Sequence, residues 1–337
     1  MLLHNVPKSD AMKDIVLVIP EGETSAVAIT GITMVFDVAN MIAGPVFKVR
    51  VASPIMTSEV RMGRYGVHID SCLSEVKKAD LVIIPPLNRH QKEGVAQNAA
   101  LIEWLRYMRI HQHAELGSVC TGAYFLAATG LLDGKEASSH WAWIDELKLL
   151  FPKVNWVPAC IITDTEGLYT SGGTFSSFNL ILYLVEKFVN KEVAVRISKE
   201  LEIDYGRSSQ LPFMIFNNQK HHADERVLAI QQFMEQHYDA TLKLEELAKQ
   251  FGMSRRNLIR RFKSATGNTP RTYIQRLRIE EAKRMFESSD RNISETMFAV
   301  GYTDVNTFRE LFQRYTGFLP SAYRRKFRPG QGVNILE

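Results

Sequence analysis

Cysteine is scarce in this 337-residue chain: three residues, Cys72, Cys120 and Cys160, odd in number and far apart. That pattern excludes a disulfide framework and offers no zinc spacing. Proline is sparse at 12 residues, and no uninterrupted apolar run approaches the roughly 20 residues of a membrane span. The opening residues "MLLHNVPKSDAMKD" lack an apolar stretch of signal-peptide length, so a cytoplasmic protein is expected, with no membrane partner. At 45% apolar and 23% charged residues the composition excludes disorder and fibrous repeats. A chain of this length predicts two or three domains.

Charge is present but unevenly spread. Residues 226–337 carry 20 Lys and Arg against 12 Asp and Glu, while residues 1–225 carry 21 against 25. A basic C-terminal third on an acidic body points to a polyanionic partner for that third.

From Asp14 the pattern alternates between strands and helices. "IVLVIP" is an apolar run of strand length, and "ITMVFDVANMIAG" is an amphipathic helix ending at Gly44. "VFKVRVAS" and "ADLVIIPP" read as further strands, the second buried on both faces. The helix "NAALIEWLRYMRI", the strand "ELGSVC" and the helix "TGAYFLAATG" follow, then "TFSSFNLILYLVEKFV" closes the region. The expectation is an α/β, flavodoxin-like fold with a mostly parallel sheet sandwiched by helices. Its predicted span is 14–190, after a flexible N-terminus at 1–13. Residues 191–225 are turn-rich and polar and read as a linker, although "EVAVRISKELEI" has helical character.

An all-α domain is expected over 226–328, with a tail at 329–337. In "LKLEELAKQFGMSRRNLIRRFKSATG", Leu244, Leu247, Ala248 and Phe251 form one apolar face, Gly252 takes the turn and Ser254 caps the next helix. Arg255, Arg256, Asn257, Arg260 and Lys263 then face outward. The pattern recurs in "NISETMFAVGYTDVNTFRELFQRYTG", where Ser294 is the expected first cap, Gly301 the turn, and Thr303 or Asp304 the second cap. A helix opened by Pro270 joins the two. Paired helix-turn-helix units held rigidly apart reach major-groove segments about 34 Å apart.

These residues resemble the AraC/XylS family of transcription activators, most closely in "GYTDVNTFRELFQRYTGFLPSAYRRKF". The resemblance implies base reading by Arg256, Ile259 and Arg260 in the first unit and by Val305, Asn306, Arg309 and Glu310 in the second. Lys263 and Arg314 are assigned to phosphate contact. Ile259 and Glu310 depart from the residues common at those positions, so base preference there does not carry over from relatives; a glutamate can accept from cytosine N4.

Cys120 sits at a turn between a strand and a helix, an elbow where a helix dipole lowers a thiol pKa. This region is similar to the PfpI/ThiJ group of the class I glutamine amidotransferase-like superfamily. Joined to an AraC-type tail, the whole resembles the GlxA family of regulators. The enzymes' supporting groups are absent: Thr121 stands where PfpI-type proteases carry histidine, and Gly31 where ThiJ-type members carry glutamate. Cys120, Thr121, His140 and Trp141 are therefore candidates for an effector pocket, not for catalysis. Alternatively, Cys120 is a small buried elbow residue and His140 a structural one. Trp141, Trp143 and Trp156 are core packing, or an aromatic cage for a quaternary ammonium if two rings face a cavity.

The expectation is a DNA-binding transcriptional regulator, an activator, with a small-molecule effector such as an amino acid or amine. No cofactor, metal or turnover is expected; a homodimer and contact with RNA polymerase are. The alternative is a cysteine-dependent hydrolase or amidase carrying a DNA-binding tail.

Overall fold

The computed structural model describes residues 12–328 apart from 23, 88–90 and 221. The expected tail at 329–337 and most of the expected flexible N-terminus lie outside these residues; Lys13 already belongs to the first strand. Two compact units divide between Gln210 and Leu211.

The first unit is built on seven strands: β1 (Lys13–Val18), β2 (Phe47–Ser53), β3 (Ser71–Cys72), β4 (Leu81–Ile84), β5 (Glu115–Val119), β6 (Ile162–Thr165) and β7 (Leu168–Ser171). Their spatial order is β6-β7-β5-β4-β1-β2-β3, and every pairing is parallel except β6 with β7. Strand alternation splits the core between the two faces. Val16, Val18, Val82 and Ile84 pack under α2 (Ala99–His111) and α3 (Ala123–Ala128). Ile15, Leu17, Leu81 and Ile83 pack under α1 (Ala26–Ala43), α4 (Ser176–Phe188) and α5 (Lys191–Glu200). Both faces of β1 and β4 are thus covered, as continuous apolar runs require.

Among the described residues, α1 alone has the length and composition to cross a membrane. Here Ile29, Ile32, Val35, Phe36 and Ala39 are buried in the core it shares with α4 and α5.

Within the segment read as a linker, 191–225, residues 191–200 form the helix α5, docked on the first unit. Asn190 caps α5 by accepting from the Val193 amide, and Val193, Ala194 and Ile197 are buried against α1 and α4. Only about half of this helix is apolar, so its docking partners, not its composition, decide its place.

The second unit is helical. The helix α6 (Glu225–Gln236) precedes the pair α7 (Leu244–Gln250) and α8 (Arg255–Thr266); α9 (Pro270–Ser288) leads to the second pair, α10 (Ile293–Ala299) and α11 (Val305–Thr316), and α12 (Pro320–Phe327) closes it. Ser254 and Asp304 cap the second helix of each pair, and Thr269 caps α9 with Pro270 in its first turn. The first cap of the second pair is Asn292 rather than Ser294. Asn292 accepts from the Glu295 amide at 2.9 Å while Glu295 accepts from the Asn292 amide at 2.8 Å, a reciprocal box that leaves Ser294 inside the helix.

Each pair has its own core, and α9 belongs to both. Tyr273 and Leu277 join Leu247, Leu258 and Phe262, whereas Ile279, Ala282 and Phe286 join Met297, Phe308 and Phe312. Midway along α9, Arg278 donates to the carbonyls of Tyr238, Ala240 and Gly301 at 2.6, 2.8 and 2.9 Å.

The two turn glycines differ in their surroundings. Gly252 has φ +65° and open space where a Cβ would stand; Gly301 has φ +80°, and a Cβ there would lie 2.2 Å from the Asp239 carbonyl oxygen. Gly252→Ala is expected to cost about 1–2 kcal/mol, the left-handed backbone penalty. Gly301→Ala adds a collision with backbone, about 1–3 kcal/mol more. Urea unfolding followed by far-ultraviolet circular dichroism measures both; equal losses would contradict the close approach at Gly301.

Candidate effector site and nucleic-acid interface

The elbow forms where β5 ends against its neighbours. Val119 is in register with Ser171 of β7, and Cys120 then takes φ +55°, a left-handed conformation that costs energy for a residue with a Cβ. Gly122 permits the sharp exit: a Cβ there would stand 2.5 Å from the Ile84 carbonyl oxygen and 2.8 Å from that of Pro85.

Cys120 is 5% exposed. Burial pushes its thiol pKa up; hydrogen bonds from the Thr121 backbone and from Thr174 oppose the shift without reversing it. The direction of this shift is opposite to the activation that a helix N-terminus by itself predicts. The Thr174 hydroxyl donates to Sγ at 4.0 Å. Thr121 faces inward, buried, and donates its hydroxyl to the Leu87 carbonyl at 2.7 Å, so that side chain is committed to the framework.

His140 does not complete a nucleophile–base pair. Its Nδ1 accepts from the Ala142 amide at 3.2 Å, which places the proton of the neutral ring on Nε2. Burial holds its pKa below the ordinary imidazole value. Among the described residues it makes no hydrogen bond to Cys120 or to a carboxylate. Its ring lies 5.2 Å from that of Trp141 at 35°, and its Cδ2 would be 3.1 Å from a Cβ at Gly173. Position 31 supplies no supporting group either: a Cβ there would fall 2.7 Å from the ring of Phe178.

The aromatic cage finds no support in Trp143 and Trp156. Both pack with the core under α2 and α3, and Trp156 Nε1 donates to the Phe151 carbonyl at 3.3 Å. Trp141 remains half-buried beside His140. Among the described residues no group of three or more His, Cys, Asp or Glu is placed to hold a metal ion.

Several residues around the elbow carry no sequence signal. Ser139 Oγ donates to the Cys120 carbonyl at 2.7 Å, and Gln210, 2% exposed, fills the space behind Ser138, Ser139 and Gly173. Their partners lie far along the chain, so no local pattern marks them.

The other candidate surface lies on α8 and α11. Arg255, Arg256, Arg260 and Lys263 are exposed on α8, with Asn257 and Ile259 half-exposed. Asn257 Oδ1 accepts from Arg260 Nη2 at 3.0 Å, orienting the guanidinium, whereas Arg255 is paired with Glu245 of α7 at 3.1 Å. On α11, Val305, Asn306, Arg309, Glu310 and Arg314 are all exposed, while Phe308, Leu311 and Phe312 are buried. Each helix thus presents one polar face outward and one apolar face to its own core.

Comparison with known proteins agrees with this division. The DJ-1/PfpI family matches residues 16–187, and a helix-turn-helix domain matches residues 247–326. The HTH-type transcriptional regulator CdhR of Pseudomonas aeruginosa is 27% identical over 264 residues, covering 77% of this chain and 76% of that protein. GbdR of the same species, also named an HTH-type transcriptional regulator, is 28% identical over 231 residues, covering 67% of this chain and 61% of its own length. GlxA of Rhizobium meliloti, likewise so named, is 27% identical over 218 residues, 63% of this chain and 65% of that one. Among solved structures, DJ-1beta of Drosophila melanogaster superposes with a TM-score of 0.50 at 19% identity, covering 58% of this chain and all of that one, a likeness of fold. The chain belongs to the DJ-1/PfpI family and carries, C-terminal to that domain, a helix-turn-helix domain of the AraC type.

Proposed function

We propose that this protein is a DNA-binding transcriptional regulator, an activator, whose DJ-1/PfpI domain senses a small metabolite. The observation that carries the reading is the pair of exposed polar helix faces on α8 and α11, braced on a single helix and joined to a domain whose elbow cysteine has no base among the described residues. Relatives that match across most of the chain are named as transcriptional regulators, which supports it. In this reading Arg256, Ile259, Arg260, Val305, Asn306, Arg309 and Glu310 meet base edges, and Arg255, Asn257, Lys263 and Arg314 position the backbone of the duplex. The effector, an amino acid or amine, binds at the C-terminal ends of the strands near Cys120, His140 and Trp141. The protein acts in the cytoplasm as a homodimer through the first domain and engages RNA polymerase. Ligand switches it only by binding one arrangement better than another.

Arg260→Ala is expected to lose about 1–3 kcal/mol of discrimination and to relax the preferred sequence. Lys263→Ala is expected to weaken binding to all duplexes alike and to reduce the slope of log affinity against log salt by about 0.9. Titrations of both variants against selected and scrambled duplexes at several salt concentrations separate the two effects; sequence-selective loss from Lys263→Ala would reverse their roles.

Cys120→Ser is expected to leave DNA affinity unchanged. Incubation of the wild type with peptides, amides and aldehydes is expected to yield no product that depends on Cys120. A product abolished by Cys120→Ser would establish the hydrolase alternative.

A further inference from the structure

Residues 208–210 run beside 159–161. The Ile161 amide donates to the Ser208 carbonyl at 3.3 Å, the Gln210 amide to the Ala159 carbonyl at 2.8 Å, and the Ser209 hydroxyl to the same carbonyl at 3.1 Å. The Gln210 side chain then turns inward. Its Nε2 lies 2.9 Å from the Ser139 carbonyl oxygen, 3.1 Å from those of Pro158 and Cys160, and 3.3 Å from Ser138 Oγ. Its Oε1 accepts from the Gly173 amide at 3.2 Å. The fit is close, since a Cβ at Gly172 would stand 2.3 Å from Gln210 Cδ. An amide brings two donors and an acceptor, and here both ends are engaged in a buried setting where each bond is costly to lose.

The partners of Gln210 border the elbow. Ser139, whose carbonyl it takes, donates its own hydroxyl to the Cys120 carbonyl, and His140 is the next residue. Gly173, whose amide it takes, precedes Thr174, the donor to Cys120 Sγ. Any ligand that displaces the 138–140 or 172–174 turns therefore changes the bonds that hold Gln210.

Gln210 is also the last residue of the first compact unit, and Leu211 the first of the second. Leu211 begins a short helical turn, Leu211–Phe213, whose Leu211 Cβ would be 3.7 Å from a Cβ at Gly317, the residue that closes α11. Three residues on, the Met214 carbonyl accepts from Lys283 Nζ of α9 at 2.6 Å.

We propose that Gln210 is the positioning residue that couples the Cys120 elbow to the DNA-binding unit. Movement of the turns around the elbow reaches α11 through the Gln210 amide and one peptide bond. The inference rests on the regulator reading above, but it makes a separate demand. Coupling is reciprocal, so DNA bound by the second unit must act back on the turns held by Gln210.

The experiment uses the full chain and a duplex that it selects from a random-sequence pool. Hydrogen–deuterium exchange of peptides covering 138–140 and 172–174 is measured with and without saturating duplex. In the wild type the duplex is expected to change their exchange rates by about fivefold or more, within the usual range of coupling between sites. In Gln210→Ala, and in Gln210→Met, which keeps the volume without the amide, the duplex still binds and the change disappears. A response that survives in either folded variant overturns the proposal. So does a wild type that binds duplex without any change in these peptides, a result that needs no variant. A wild type that selects no duplex overturns the regulator reading itself, and is distinguished by the binding measurement alone.

Discussion

Three carbonyl oxygens converge on Arg278, and the arrangement of the DNA-binding unit follows from that convergence. A guanidinium offers its donors in a rigid plane, so the Tyr238, Ala240 and Gly301 carbonyls are held in fixed relation to one another. Tyr238 and Ala240 lead into the first helix pair; Gly301 is the turn of the second. The same side chain lies over the Tyr302 ring, 5.1 Å from its centroid. With Tyr273 and Leu277 in one core and Ile279, Ala282 and Phe286 in the other, α9 is a shared wall rather than a spacer. The separation of α8 and α11 is thereby set by packing at the middle of one helix, not by the stiffness of a connection.

The first domain keeps the geometry of an elbow while lacking the groups that make such elbows reactive. Cys120 is held at positive φ, and the end of β4 comes so close to Gly122 that no Cβ fits there. Among the described residues the thiol has no base: His140 commits Nδ1 to a backbone amide, and Phe178 fills the space beside Gly31. Strain of this kind serves positioning as well as chemistry. Here it places the ends of β5 and β7 and their following turns around one residue.

Signals confined to a few neighbouring residues were legible in the sequence. Gly252 with Ser254, and Gly301 with Asp304, announce their turns and caps because left-handed glycine and side-chain capping act within one turn of helix. The apolar run of β4 announced burial on both faces. The first cap of the second pair was expected at Ser294; Glu295, third after Asn292, closes a box with Asn292 instead. Long-range docking was not legible. Helix α5 reads as polar linker until α1 and α4 are in place. Gln210 lies in an unremarkable polar stretch whose partners are 37 to 72 residues away. The burial of the thiol was likewise hidden: an elbow at a helix start argues for a low pKa, and only the enclosing residues show the desolvation that pushes it up.

That burial has a consequence for how the protein meets its chemical surroundings. Peroxides, disulfides and electrophiles attack thiolates, and a cysteine kept protonated inside the fold reacts with them slowly. An exposed, acidic cysteine at the same elbow would be open to oxidants. Cys120, 5% exposed and with its thiol pKa raised by burial, is shielded from such attack by the residues that enclose it.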